Sequence, residues 1–286
     1  MFGIMGLSAA FMQSASHINR GIKGNYISFG IGAANPTLII SCTGSIVVQS
    51  IYNGTKITET YSDLNEAVLA IQADANTDVV IIGDVTEFNN FKQYPRYYDF
   101  KSLDVTHCLT LSILGVISCA GLTSLDVSAN TALTSLNCSG CSGITALDLS
   151  ACTELTSLNC EQTNITALDL SANTKLTSLS VRQTNITTLD LSACTALTSL
   201  NCNNCHDLTT LDLSNNAALT SLSCSGCTGL TEIKYPATNE DVSIYIADAI
   251  TNATAADGTV YTDSAADYYS TIADAATAKG WTISQL

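Results

Sequence analysis

Cysteine is the residue whose number and spacing in this chain most suggest chemistry, because thiolates bind zinc and form disulfides. The 286-residue sequence contains 12 cysteines and only 3 histidines. Six of the cysteines form three C-x-x-C pairs, which are Cys138/Cys141, Cys202/Cys205 and Cys224/Cys227. Such pairs are typical of zinc sites and of thiol redox centres.

The positions of the cysteines nevertheless indicate a structural role. All of them except Cys42 fall in two inward columns of a short repeat, which is described below. A buried cysteine behaves as a small hydrophobic residue. We therefore predict reduced thiols that bind no metal and no cofactor, with stacked disulfides and a zinc site as the alternatives.

Five aspartates recur in one column of the same repeat and could supply oxygen ligands for Ca²⁺. They are Asp126, Asp148, Asp169, Asp190 and Asp212. Each is followed two residues later by a serine, which can donate hydrogen bonds to the carboxylate. Because the pair recurs in every second unit, we predict local hydrogen bonding at these positions, with a Ca²⁺ site as the alternative.

Positions that vary between otherwise equal repeats are the candidates for ligand binding. They are Glu161, Gln162, Arg182, Gln183, Asn203, Asn204 and His206. Folding alone would allow Ser or Gly at such positions, as at Ser139 and Ser225 of neighbouring units. The larger polar side chains therefore indicate a recognition patch, although neutral drift would produce the same variation.

Catalytic motifs are missing from the sequence. No nucleophile, base and orienting residue occur in a suggestive arrangement, and there is no glycine-rich phosphate loop. We therefore predict a protein that is not an enzyme.

A repeat of ten or eleven residues must position all of these side chains. Leucine or isoleucine begins each unit from Leu111 to Leu230, and two further apolar columns follow it by three and five residues. A column of Asn, Cys and Thr comes three residues later. One unit cannot bury its apolar edge alone, whereas stacked units can, so the pattern predicts a solenoid of short strands.

The units alternate between two kinds, typified by LDLSAN and LNCSGC, so that the full repeat is 21 or 22 residues long. This pattern resembles the leucine-rich-repeat family, L-x-x-L-x-L-x-x-N/C, in its irregular bacterial form with two half-repeats. The resemblance covers residues 100–235 and implies a mainly β solenoid. It also implies recognition of proteins or glycans, as in bacterial surface proteins.

Charge excludes some partners. Only 12% of residues are charged, and the net charge is −15 with ten Lys and Arg. Nucleic acid is an unexpected partner because phosphate binding needs clustered cations. Residues 1–12 are apolar but lack the basic region of a secretory signal and are too short to span a bilayer. We therefore predict no membrane insertion and no export signal.

The flanks of the solenoid are predicted to be an N-terminal arm and two caps. Residues 1–55 are apolar and nearly uncharged, which favours an assembly arm packed on another subunit, with a β cap as the alternative. Residues 56–99 are predicted to form an α/β cap, with a helix at 62–73, a strand at 79–82 and an aromatic loop at 89–100.

Residues 236–286 are predicted to form a small α/β C-terminal cap. Strands are expected at 242–247, 258–262 and 281–283, together with a helix that begins at Asp263 or Ser264 and ends at Lys279. Gly280 is the expected glycine just beyond the helix.

The sequence predicts a structural protein that recognises and binds another molecule. An apolar arm and an absent export signal favour a phage virion decoration or fibre-like protein, anchored to other virion proteins and to its own copies through residues 1–55. The solenoid would then bind a host-surface protein or glycan. The alternatives are a bacterial cell-surface adhesin and a cytosolic interaction scaffold.

Overall fold

A computed structural model describes residues 26–31, 37–52, 55–64, 67–70, 78–89, 100–235, 246, 249–251, 253–254, 258–262 and 269–285. Over these ranges the protein is mainly β, with short parallel strands stacked into a solenoid and additional elements at both ends. The predicted leucine-rich-repeat solenoid and the mainly β fold class are therefore confirmed.

The solenoid strands are three residues long and stack in register. They are β7 (Ile113–Gly115), β8 (Ser135–Asn137), β9 (Ser157–Asn159), β10 (Ser178–Ser180), β11 (Ser199–Asn201) and β13 (Ser221–Ser223). The central leucine of each strand pairs with the central leucine of the next, as Leu158 does with Leu179. This register gives one coil for every 21 or 22 residues, as the two alternating half-repeats predict.

An antiparallel sheet precedes the solenoid. Its strands are β1 (Tyr26–Ile31), β2 (Thr37–Tyr52), β3 (Thr55–Ser62), β4 (Ala67–Ala70), β5 (Asp78–Asn89) and β6 (Phe100–Asp104). β2 pairs with β3, β4 and β5, and β1 lies between β5 and β6. The end of β5 pairs in parallel with β7 through Phe88 and Leu114, so this sheet is continuous with the solenoid.

A second parallel sheet begins within the last coils of the solenoid and continues beyond it, and a helix lies between its last two strands. The sheet contains β12 (Thr210–Asp212), β14 (Glu232–Tyr235), β15 (Thr259–Thr262) and β16 (Thr282–Gln285). The helix α1 (Tyr269–Lys279) ends before Gly280, whose φ of 79° lies in the left-handed region that favours glycine. The strands predicted at 258–262 and 281–283 and the end of the helix at Lys279 are thus confirmed.

The helix predicted at residues 62–73 is wrong. Asp63 donates its backbone N–H to the carbonyl of Gly44, and Cys42 donates to the carbonyl of Leu64. β4 then pairs with residues 37–40 of β2. Pairing along β2 therefore outweighs the helical apolar spacing, as tertiary context often does. The strand predicted at 79–82 is present but extends from Asp78 to Asn89.

Two further predictions concern the segments on either side of the solenoid. Residue Ile246 of the strand predicted at 242–247 is helical and fully buried, as is Ile250, so the strand prediction is wrong there. Apolar residues four apart in the sequence share one helix face, and this pair fits that spacing. Most of the predicted aromatic loop, residues 90–99, lies outside the described residues.

The segment predicted to be an assembly arm contributes strands to the N-terminal sheet. β2 pairs with β3 over eight successive residues, and Ile46 and Val48 of β2 are buried. Ile27 of β1 is also buried. This arrangement corresponds to the β cap that was the alternative to an arm. Residues 1–25 lie outside the described residues.

The core is one continuous column of apolar side chains through the coils. All four repeat columns are buried, including their polar members Asn130, Thr163, Asn173, Thr184 and Asn216. No helix among the described residues is long and apolar enough to cross a bilayer.

Candidate functional site

Eleven of the twelve cysteines lie in the core of the coils, and Cys42 lies in β2 of the N-terminal sheet. All twelve are buried, and none of them forms a disulfide. Burial raises the pKa of Cys152 and Cys194 to about 11 and that of Cys160 to about 12. Because metals bind the thiolate and oxidation also proceeds through it, these protonated thiols are poor ligands and poor nucleophiles. Over the described ranges, no cluster of three or more His, Cys, Asp or Glu could hold a metal ion.

Asparagine replaces cysteine at one buried turn in alternate coils. Asn173 donates its amide hydrogens to the carbonyls of Leu149 and Cys152 in the preceding coil, at 3.3 and 2.9 Å. Asn130 and Asn216 make the equivalent pairs of bonds. Cys194, at the same turn of the next coil, reaches equivalent carbonyls only at 3.8 and 4.0 Å. Asparagine therefore ties neighbouring coils together more firmly than cysteine does.

Replacing Asn173 by Ala should lower the free energy of unfolding by about 1–3 kcal/mol, because two hydrogen bonds between coils are lost and the carbonyls of Leu149 and Cys152 keep only their backbone donors. Asn173→Cys should cost less, since cysteine occupies the same turn at Cys152 and Cys194. Urea unfolding of the two variants measures the difference. No measurable loss in Asn173→Ala would show that the amide bonds do not hold the coils together.

The aspartate column is explained by local hydrogen bonds. Asp148 accepts hydrogen bonds from the backbone N–H and the hydroxyl of Ser150, at 3.0 and 2.7 Å. The backbone bond recurs at the other four aspartates. Hydrogen bonds from the serines lower the pKa of the carboxyl groups of Asp126 and Asp148. The predicted local hydrogen bonding is therefore confirmed.

Ser150→Ala should raise the pKa of the Asp148 carboxyl toward its ordinary value, because the hydroxyl bond is the larger cause of the lowering. A carboxyl whose pKa is lowered by folding stabilises the folded state above its unfolded pKa of about 4, and loses this effect as the pH falls through the folded pKa. An NMR pH titration of Asp148 in both proteins measures the shift. An unchanged pKa would mean that the serine hydroxyl is not bonded in solution.

The predicted recognition residues come together on three successive coils, just after strands β9, β10 and β11. These candidate residues, called the recognition patch below, are Glu161, Gln162, Arg182, Gln183, Asn203, Asn204 and His206. The backbone N–H of Gln162 donates to the carbonyl of Arg182, and that of Gln183 donates to the carbonyl of Asn203, both at 2.9 Å. The turns that carry the patch are thus held in register by the main chain.

Each turn of the patch contains a residue with positive φ. The angle is 55° at Gln162, 56° at Gln183 and 59° at Asn204. The same turn position is occupied by glycine in the two adjoining coils, with φ of 74° at Gly140 and 75° at Gly226, and by Ser118, with φ of 58°, one coil further toward the N-terminus. A residue with a Cβ is disfavoured in this conformation by about 1–2 kcal/mol. The two glutamines therefore occupy positions at which glycine would be easier to accommodate.

Glu161 lies across the neighbouring strands. Its Oε1 accepts hydrogen bonds from the Ser180 hydroxyl at 2.5 Å and from the Asn201 amide at 3.2 Å. Its Oε2 is 3.9 Å from a guanidinium nitrogen of Arg182. The carboxylate is thus fixed by residues of β10 and β11, and its charge is balanced by Arg182.

The remaining patch residues also interact between coils. Gln162 Nε2 donates to Gln183 Oε1 at 2.9 Å. Asn203 Oδ1 accepts from the backbone N–H of Ser225 at 2.8 Å. His206 Nδ1 lies 3.4 Å from the Thr228 hydroxyl, near the edge of the patch.

Sequence reasoning missed three features of this site. Ser180 and Asn201 orient Glu161, but each resembles the ordinary strand residue of its coil. The positive φ of Gln162 was also missed, although glycine at the aligned positions 140 and 226 was a signal for it.

Comparison with known proteins gives limited matches. No family model matches the sequence, and no curated protein matches it. The functional domain of InlJ from Listeria monocytogenes, which includes a cysteine ladder, is 26% identical, with 56% of this chain and 47% of that chain covered and a TM-score of 0.38. An internalin, InlF, from the same species is 20% identical, with coverage of 64% and 50% and a TM-score of 0.39. This chain spans about half the length of those structures.

Proposed function

We propose that this leucine-rich-repeat protein is a non-enzymatic recognition protein that binds a surface molecule through the recognition patch, as an adhesin does. The observation that carries the proposal is the pair of glutamines at positive φ, where the flanking coils have glycine. Strained backbone positions cluster at functional sites because the surrounding structure must support their cost. Side chains that occupy such positions in place of glycine are therefore candidates for contacts with a ligand.

The electrostatics of the patch support binding rather than catalysis. Arg182 and Glu161 balance each other, and the carboxylate is already hydrogen-bonded by Ser180 and Asn201. Of the four Lys and Arg in residues 100–235, Arg182 is 3.9 Å from its partner, whereas Lys175 lies 2.6 Å from Glu154. A guanidinium carries five N–H donors, so Arg182 can stay beside Glu161 and still donate to a ligand atom.

Cell-surface recognition is the form of this function that we favour over a virion role. The virion interpretation depends on residues 1–55 as an arm that holds other subunits. The described part of that segment, β1 and β2, is instead engaged with β3, β4, β5 and β6 of its own chain. Neither the described residues nor the similar structures add support for a phage component or for a homo-oligomer.

A binding screen with matched variants tests the proposal. The purified full chain is applied to arrays of cell-surface proteins and of glycans, next to Arg182→Glu and a control, Lys175→Glu. Lys175 precedes strand β10 and Arg182 follows it, so the control places the same charge change at the other end of the strand. We expect Arg182→Glu to weaken binding by about tenfold or more, and the control to retain it. If no array component binds the wild-type chain, or if both variants bind equally, the patch is not a recognition site.

Location separates the surface role from the virion and cytosolic roles. Mass spectrometry of purified cell envelopes, phage particles and cytosol from the native organism is the measurement. We expect the chain in the envelope fraction. Enrichment in the particles would instead restore the virion interpretation, and enrichment in the cytosol would favour a scaffold.

A further inference from the structure

We propose that the ligand of the recognition patch is a neutral glycan, bound through its hydroxyl groups. This inference rests on the recognition role proposed above and adds the chemical class of the ligand. Three observations carry it: the scarcity of apolar side chains on the surface, the fixed polar groups of the patch, and the charge of the chain.

The surface around the patch offers almost no apolar contact. Leu109, which is 57% exposed, is the one large hydrophobic side chain exposed among the described residues, and it lies in the first coil, away from the patch. Protein interfaces obtain most of their affinity from a few buried side chains, mainly Trp, Tyr and Arg, that neighbouring contacts shield from water. Arg182 is the only patch residue of these kinds. The patch therefore suits a ligand that is held chiefly by hydrogen bonds.

The patch presents acceptors and donors side by side. The bond from Gln162 Nε2 to Gln183 Oε1 leaves Gln162 Oε1 as an acceptor and Gln183 Nε2 as a donor, and neither has a further partner within the described ranges. Asn203 uses its oxygen for Ser225, which leaves its amide hydrogens available in the same way. A hydroxyl both donates and accepts. Adjacent sugar hydroxyls can therefore satisfy this row of alternating groups.

Regular spacing and partly fixed side chains also suit an extended ligand that lies across several coils. Equivalent groups on neighbouring coils repeat at about 4.8 Å, the distance between paired strands. The exposed amides of Gln162 and Gln183 are joined by one hydrogen bond, and the half-buried Glu161 is held by Ser180 and Asn201. Side chains already in place lose little conformational entropy on binding, which matters for ligands that gain little from apolar burial.

The charges favour a neutral glycan over an acidic one. Arg182 is balanced by Glu161 within the patch. The chain as a whole carries a net charge of −15, which repels polyanionic polysaccharides. A neutral oligosaccharide needs no unbalanced cation and is not repelled by the negative charge of the chain.

A glycan array with the full-length chain tests this inference. The variants are Gln162→Gly/Gln183→Gly, which removes the amide row, and Glu154→Gln/Lys175→Gln, which changes an ion pair on the same coils before strands β9 and β10. The glycine variant retains the turns, because Gly140 and Gly226 adopt the same conformation in neighbouring coils. Melting curves of all proteins confirm folding.

We expect the wild-type chain to retain neutral oligosaccharides, the control variant to match it, and the glycine variant to bind about tenfold more weakly. The melting temperature of the glycine variant should be no lower than that of the wild type, because glycine relieves the positive-φ turns. Preference for sialylated or sulfated glycans, or equal binding by the glycine variant, overturns the inference. Binding to a protein array without any glycan binding also overturns it, while the recognition role stands. Binding to neither array overturns both.

Discussion

Replacing Leu168 by Asp is expected to unfold the repeat region or to lower its free energy of unfolding by about 3–5 kcal/mol, because the carboxylate would be buried without a partner. Leu168 lies in a middle coil and is only 7% exposed. Solenoid stability is transmitted between neighbouring coils, so one disrupted coil weakens those on both sides. Circular dichroism during urea unfolding measures the loss.

Ala167→Asp provides the matched control for this substitution. Ala167 is the preceding residue and is exposed, so the same new carboxylate faces water. A surface substitution of this kind usually changes stability by less than about 0.5 kcal/mol. Equal losses for the two variants would mean that the inward and outward positions of the repeat are assigned incorrectly.

Deleting residues 1–55 is expected to leave a chain that aggregates or unfolds below ambient temperature. The deletion removes β1 and β2, which pair with both sides of β5, and β5 in turn pairs with the first solenoid strand. Phe88 and Leu114, which are fully buried at this junction, would become more exposed to water. Terminal coils need caps because their apolar ends are otherwise open to water.

Size-exclusion chromatography and thermal unfolding of the truncated chain measure this effect. A deletion of residues 280–286 is the control for the loss of a terminal strand, because β16 pairs only with β15 among the described strands. A soluble truncated protein whose melting temperature matches that of the full chain would show that residues 1–55 are an independent arm.

The solenoid could be predicted because its signal is repeated. Each of the four columns contributes a buried residue in every coil, so errors at single positions cancel over the repeat. The same regularity identified the serine that follows each aspartate and the variable residues of the recognition patch. These features follow from side-chain periodicity and local hydrogen bonding, which sequence determines directly.

The caps were harder to predict because their strands pair with distant segments. Residues 62–73 have a helical apolar spacing, yet Asp63 and Leu64 bond to β2 and the chain continues as β4. The sequence around Glu161 gives no indication that its carboxylate reaches Asn201, 40 residues away. Such contacts depend on how coils and sheets stack, and local patterns do not contain that information.

Hydrogen exchange of the full chain, with and without a saturating ligand retained in the array screen, tests the proposed recognition role most directly. We predict slower exchange at the backbone amides of Gln162, Gln183 and Asn204. Exchange should be unchanged at the serines that donate hydrogen bonds to the aspartate column, such as Ser150. Protection confined to the aspartate column or to the N-terminal sheet, with the turns of the recognition patch unchanged, would contradict the proposed role of the patch.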